Sequence, residues 1–124
     1  MNIHIKATGI ELTGAISDYV YKKIGAVEKY MGPRTAVDVF VEVGKPSAHH
    51  KSGDVFRAEV RMVGEGLNLV ATKESDDLYK AIDLVENEVK RELSTEKGKS
   101  MAMLRRGQRA VKDMMRGFRD WRNK

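Results

Sequence analysis

Ser75-Asp76-Asp77-Leu78-Tyr79-Lys80-Ala81-Ile82-Asp83-Leu84-Val85-Glu86-Asn87-Glu88-Val89-Lys90-Arg91-Glu92-Leu93 is the stretch that decides the fold. Leu78, Ala81, Ile82, Val85, Val89 and Leu93 recur at helical spacing and share one face. Ser75 reads as the N-cap. Asp76 and Asp77 then fall in the first turn, where negative charge suits the positive end of the helix dipole. Just upstream, Leu67 to Lys73 reads as a strand. A strand therefore runs directly into an amphipathic helix.

Working outward, Asn2 to Thr8 alternates, with Ile3, Ile5 and Ala7 on one face and His4 and Lys6 on the other. Thr13 is the N-cap expected for a helix from about residue 14 to residue 31. Its buried side carries Ile16, Val20, Ile24, Val27 and Met31, and Gly32-Pro33 ends it. Ala36 to Val43 reads as a second strand with Val37, Val39, Val41 and Val43 inward. Gly44 to Asp54 is a polar loop. Val55 to Val63 is a third strand with Phe56, Ala58, Val60 and Met62 inward and Arg57, Glu59 and Arg61 outward. Gly64-Glu65-Gly66 turns it into the fourth.

The order is β-α-β-β-β-α. Every strand alternates, so the sheet has one wet face and one face for the two helices to cover. The fold class is α+β, a two-layer sandwich of a four-stranded mixed sheet with two helices on one face. If the first two strands are neighbours, they are parallel and joined by a right-handed helical crossover. The later strands join as antiparallel hairpins. A body of residues 1–96 and a tail of residues 97–124 are the expected units.

Charge separates the two. Residues 1–96 hold 13 Lys+Arg against 16 Asp+Glu, net −3, and residues 97–124 hold 10 Lys+Arg against 2 Asp, net +8. A one-sided basic tail reads as an arm for a polyanion. Met101, Leu104, Val111, Met114, Met115, Phe118 and Trp121 would share one helical stripe. Arg105, Arg109, Lys112, Arg116 and Arg119 would span about 80° of arc at ~100° per residue. Gly107 and Gly117 each cost ~1 kcal/mol in a helix, so the tail is read as helical or disordered, ordering on binding. A basic amphipathic helix can also lie on an anionic bilayer. No apolar run reaches the ~18 residues of a membrane span, and the N-terminus does not read as a signal peptide. There are no cysteines, hence no disulfide and no thiolate metal site.

Catalytic motifs are absent. His49-His50 with Asp54 lies at no recognised metal-ligand spacing, although a small metal-dependent nuclease using these residues stays open as an alternative. The pairs Asp76-Asp77 and Glu86/Glu88 read as capping and a solvated face. No metal, cofactor or small-molecule substrate is expected. Basic residues on the helical layer are sparse but placed. Lys80 and Arg91 are eleven apart and share an outer face with Asn87, and Lys22, Lys23 and Lys29 lie toward the outer side of the first helix. Lys73 closes the last strand. Together they could line a groove continuing into Lys97 and Lys99.

The run Asp77-Leu78-Tyr79-Lys80-Ala81-Ile82-Asp83 resembles the start of the final helix in the ribosome hibernation-promoting factor family, also called ribosome-associated inhibitors. His49-His50-Lys51-Ser52-Gly53-Asp54-Val55-Phe56-Arg57-Ala58-Glu59-Val60 looks like that family's loop into its third strand. Arg91, Leu93, Lys97 and Lys99 match the basic end of the final helix. Leu104-Arg105-Arg106-Gly107-Gln108-Arg109-Ala110-Val111-Lys112 is similar to the basic extension of some short members. The resemblance spans nearly the whole chain. It implies a fold like that of double-stranded-RNA-binding domains and a non-enzymatic, cytoplasmic protein. Such a protein would occupy the mRNA/tRNA channel of the small ribosomal subunit and keep ribosomes silent under stress or in stationary phase. It also implies rRNA contacts at Lys22, Lys23, Lys80, Arg91, Lys97 and Lys99. Lys73 and the tail residues Arg105, Arg109 and Lys112 complete the expected set. Glu86 and Glu88 depart from the pattern by placing negative charge on the final helix. The expected form is the short one, without the second domain that long members use to pair ribosomes. A general structured-RNA-binding module without ribosome preference is the second reading.

Overall fold

In the computed structural model, residues 1–46 and 55–96 are described. The chain divides into two units, Met1–Leu93 and Ser94–Lys124. Four strands form one sheet in the order β1-β2-β3-β4: β1 (Asn2–Thr8), β2 (Asp38–Gly44), β3 (Phe56–Gly64) and β4 (Leu67–Ser75). The first pair is parallel, from Asn2 opposite Asp38 to Thr8 opposite Gly44. The other two pairs are antiparallel. Helix α1 (Gly14–Gly25) connects the parallel pair, as a parallel connection requires. Helix α2 (residues 78–96) follows β4.

Alternation sorts the sheet into its two faces. Val39, Val41, Val43, Ala58, Val60, Met62, Leu67 and Ala71 are buried, while their strand neighbours Asp38, Phe40, Glu42, Arg57 and Arg61 are exposed. The buried set forms one core with Val20, Ile24, Val27 and Met31 from the α1 side and Leu78, Ala81, Ile82, Val85, Val89 and Leu93 from α2. A fully buried side chain of this kind contributes roughly 1.5–3 kcal/mol, against about 0–1 kcal/mol for a surface ion pair. The core, not the charges, supplies most of the energy that holds the helices on the sheet.

Three local readings are corrected. First, α1 stops at Gly25, and a single 3-10 turn, Glu28–Tyr30, replaces its expected last turns. The Val27 amide donates to the Ile24 carbonyl at 3.0 Å. That tighter winding keeps both Val27 and Met31 inside, so the apolar spacing survives the change of helix type. Thr13 does cap α1, its Oγ1 accepting from the Ile16 amide at 3.2 Å.

Second, Ser75 is not the cap of α2. It is the last residue of β4, opposite Phe56. Its Oγ accepts from the Asp77 amide at 3.4 Å and donates to Asp76 Oδ1 at 3.2 Å, shaping the strand-to-helix turn. Asp77 caps the helix instead, accepting from the Tyr79 amide at 3.0 Å through Oδ1.

Third, β2 begins at Asp38 rather than Ala36. The amides of Thr35 and Ala36 are taken by the Glu65 carboxylate, at 2.6 and 2.7 Å, not by a strand ladder. Glu65 and Gly66 form the two-residue turn between β3 and β4, with φ of +48° and +81°. Two positive φ values are what the turn favoured by two-residue hairpins needs. Gly64 sits so close to the α1–β2 connection that a Cβ there would lie 2.4 Å from the Ala36 carbonyl oxygen.

Candidate nucleic-acid interface

Helical geometry at ~100° per residue places Lys80, Asn87 and Arg91 on the side of α2 opposite its core stripe, and all three are exposed. On α1, Lys22 stands opposite the buried Val20 and Ile24 and is likewise exposed. Lys22, Lys80 and Arg91 therefore rise from the same outer side of the helical layer. Asp18 is the acid that shares this ridge on α1. Among the described residues neither Lys22 nor Lys80 is held in an ion pair, so both can offer their full charge to an anion.

The flanks of α2 behave differently. One flank, with Tyr79, Asp83 and Glu86, faces α1. Tyr19 Oη donates to Asp83 Oδ1 at 2.5 Å, and Lys23 Nζ lies 3.4 Å from the same oxygen. The Tyr19 and Tyr79 rings meet edge to face at 4.9 Å, and Lys23 Nζ lies 5.5 Å above the Tyr19 ring. Lys23 is thus not on the outer side as expected; it turns into the seam between the helices. The hydrogen bond to Asp83 pushes the Tyr19 phenol above its ordinary value, aided by burial. The negative charge of Asp83 likewise raises the Lys23 ammonium.

The opposite flank carries Glu88 toward β4. Its carboxylate accepts from Arg91 at 2.5 and 3.1 Å and lies 4.0 Å from Lys73 Nζ. The Arg91 hydrogen bond holds the Glu88 carboxyl below the usual carboxylate range, and the reciprocal contact raises Arg91. Glu86 is buried at 6% exposure and pairs with Lys90 at 3.5 Å. Lys90 Nζ also lies 5.7 Å over the Tyr30 ring, with Lys29 Nζ 5.5 Å over the same ring. The reading of Glu86 and Glu88 as a solvated acidic face is corrected: both are turned sideways against basic partners.

The sheet's outer face is a weaker candidate for a polyanion. It sets Lys6, Arg57 and Arg61 against Asp38, Glu42, Glu59 and Glu74. Arg57 is bonded to Glu59 at 3.1 Å. His4 stacks on Phe40 with centroids 5.0 Å apart and pairs with Asp38 at 3.3 Å. Mixed charge of this kind does not focus a field of one sign.

Of the expected contact residues, Lys22, Lys80 and Arg91 come together on the outer ridge. Lys23 lies in the helix seam, and Lys73 at the edge strand against Glu88. Lys97, Lys99, Arg105, Arg109 and Lys112 lie outside the described residues, as do His49, His50 and Asp54. Among the described residues no group of three His, Cys, Asp or Glu could hold a metal ion, and no helix is long and apolar enough to cross a membrane. Tyr19 belongs to no motif that sequence reasoning singles out for function, and Asp83, although it closes the Asp77–Asp83 run, is not among the expected contact residues. The i, i+4 spacing of Tyr19 and Lys23 on one flank of α1 is the signal that could have found them.

Comparison with known proteins agrees with this architecture. The N-terminal domain of Protein Y from Thermus thermophilus superposes with a TM-score of 0.65 at 26% identity, over 77% of this chain and 98% of that one. A ribosomal subunit interface protein from Coxiella burnetii shares the fold, with a TM-score of 0.63 at 20% identity over 79% and 99% of the two chains. A ribosome hibernation promotion factor of Bacillus subtilis is 34% identical over 99 residues, 80% of this chain and 50% of that protein. A ribosome hibernation promoting factor of Azotobacter vinelandii is 30% identical over 101 residues, 82% of this chain and 87% of that protein. The chain thus spans about half of one relative and most of the other. Residues 3–101 match the family model described as sigma 54 modulation protein / S30EA ribosomal protein, and the chain belongs to that family.

Proposed function

We propose that this chain is a ribosome-binding translation inhibitor of the cytoplasm. It occupies the mRNA/tRNA channel of the small ribosomal subunit and holds ribosomes inactive under stress or in stationary phase. The observation that carries the reading is the outer ridge of the helical layer. Lys22, Lys80 and Arg91 stand there on one side of a two-helix surface, in a chain whose relatives are named ribosome hibernation factors. Contacts from such a ridge to phosphates orient a protein without reading sequence. The role is occupancy rather than catalysis, so inhibition is stoichiometric. The basic residues of 97–124, among them Lys97, Lys99, Arg105, Arg109 and Lys112, supply the long-range attraction, and residues 1–96 supply the orientation.

The test is co-sedimentation with small subunits over a salt series, beside a reconstituted translation assay. Inhibition saturates at one protein per ribosome. Lys22→Glu with Lys80→Glu weakens binding and flattens the log–log salt slope by about 2, one for each phosphate that a lysine no longer neutralises. Peptide synthesis unimpaired at saturating protein overturns the function. Equal competition by unrelated structured RNA moves the assignment to a general RNA-binding module.

A further inference from the structure

We infer that Asp83 is a positioning residue, which joins α1 to α2 through Tyr19 and Lys23 and so fixes Lys22 relative to Lys80 for the ribosomal RNA backbone. The inference rests on the reading of the outer ridge as the RNA-facing surface. It goes beyond that reading because Asp83 is itself an acid, the residue type such a surface should avoid.

The geometry is specific. Two α1 groups converge on one oxygen, Asp83 Oδ1: the Tyr19 hydroxyl at 2.5 Å and the Lys23 ammonium at 3.4 Å. Tyr19 and Asp83 are 64 residues apart in sequence, so the contact ties two elements that the chain itself does not hold together. The Tyr79 ring closes the seam edge-on against Tyr19. Lys23 and Asp83 keep 29% and 42% of their side-chain surface exposed, so the cluster lies at the top of the seam rather than in the core. Tyr19 stands one turn before Lys22, and Asp83 one turn after Lys80. Each ridge lysine is therefore one helical turn from the joint.

The core and the seam contact act together on this separation. The helices meet the sheet mainly through Val, Leu, Ile, Ala and Met side chains, and the hydrophobic effect that drives their burial is non-directional. A short charge-assisted hydrogen bond between the helices adds a directional contact to that burial. Phosphates have set spacing, so two cations held at a fixed separation bind better than two that must be ordered on contact.

The sign of the effect makes the inference testable. If Asp83 were only an acid near RNA, Asp83→Asn would remove a repulsive charge, release Lys23 and tighten binding. Positioning predicts the reverse. The experiment titrates the full chain against small ribosomal subunits, comparing wild type, Asp83→Asn, Tyr19→Phe and the Lys22→Glu/Lys80→Glu pair. Circular dichroism and urea unfolding establish the folded fraction of each. Asp83→Asn is expected to raise Kd about fivefold at full stoichiometry, through loss of the charge that strengthens the Tyr19 bond and holds Lys23. Tyr19→Phe changes no charge, so it raises Kd by a similar factor at unchanged salt slope. It also removes from the ultraviolet titration of the tyrosines the phenol that the bond to Asp83 raises, which identifies the contact in solution. A variant that is merely destabilised shows reduced stoichiometry at wild-type Kd, which counts against positioning. If Asp83→Asn binds as well as wild type or better while the double lysine reversal weakens binding, the positioning role falls and the ridge stands. If the double reversal leaves binding intact, the ridge itself falls.

Discussion

Glu65 offers a sharp test of how the body holds its shape. It occupies the first central position of the β3–β4 turn at φ +48°, where a non-glycine residue is strained by about 1–2 kcal/mol. Asparagine or glycine would suit that backbone better. The carboxylate explains the choice, since Oε2 accepts from the amides of Thr35 and Ala36 at 2.6 and 2.7 Å. Arg34 Nε adds a bond to the Glu65 carbonyl at 3.2 Å. Two such bonds to an exposed carboxylate contribute about 1–2 kcal/mol together. Glu65→Ala keeps the strain and loses the clamp, so it should cost about 1–2 kcal/mol. For a body of this size that lowers Tm by very roughly 4–16 °C. Glu65→Gly loses the same clamp but relieves the backbone, so it should lie about 1 kcal/mol above alanine. Thermal and urea unfolding of the three proteins measure both differences. The expected order is wild type, then glycine, then alanine. Alanine equal to wild type would refute the clamp, and glycine below alanine would refute the strain.

Other substitutions probe the remaining joints. Asp77→Ala should cost about 1 kcal/mol as the loss of an N-cap, and Ser75→Ala distinctly less; the reverse order in urea unfolding would return the cap to Ser75. Ile82→Ala, at a fully buried site, should cost about 2–5 kcal/mol, and a smaller loss would mean that the α2 face packs loosely. Glu88 titrates below its ordinary value near 4.5 because Arg91 bonds its charged form. Its contribution is therefore present above the unfolded value and lost as pH falls through the lower folded one. The urea midpoints of wild type and Glu88→Gln should accordingly draw together as the pH falls below the ordinary value near 4.5. Deleting residues 100–124 removes eight Lys+Arg and two Asp, a loss of +6 in charge. It should weaken ribosome binding and flatten the salt slope; loss of binding to anionic vesicles with ribosome affinity intact would instead assign the tail to membranes.

The strands were legible because alternation with period two is direct evidence of a half-buried sheet. Val37, Val39, Val41 and Val43 point inward without exception. Element boundaries were less legible, because they depend on partners far away in sequence. Nothing near Ala36 shows that a carboxylate 29 residues later takes its amide. Serine suits an N-cap, which is why Ser75 reads as one, yet pairing with Phe56 keeps it in the strand. Helical phase alone places Lys80 on the outer face. For Lys23 the same phase, about 80° from the buried Val20 and Ile24, gives a flank rather than the outer face, and only its partner Asp83, across the seam, is not encoded by local spacing.

A body of net charge −3 is at first sight ill suited to RNA, but net charge is not the potential on one face. The acids of α2 are not spread evenly around the helix. Asp83 is engaged by Tyr19 and Lys23, Glu86 by Lys90, and Glu88 by Arg91 and Lys73. Each lies on a flank, where opposite charge sits a few ångströms away and cancels its field at longer range. The ridge above them keeps Lys22 and Lys80 outside those pairs. Sideways neutralisation also stiffens the layer, since every pair links one turn, helix or strand to the next. The two properties conflict on a simple surface, where added acids that rigidify would also repel phosphate. Here the helical phase separates them: positions roughly 60–120° away from the ridge carry the braces, and the ridge itself carries the cations. It follows that moving an acid by one residue, from a flank to the ridge, should impair RNA binding far more than the same net charge does where it now stands.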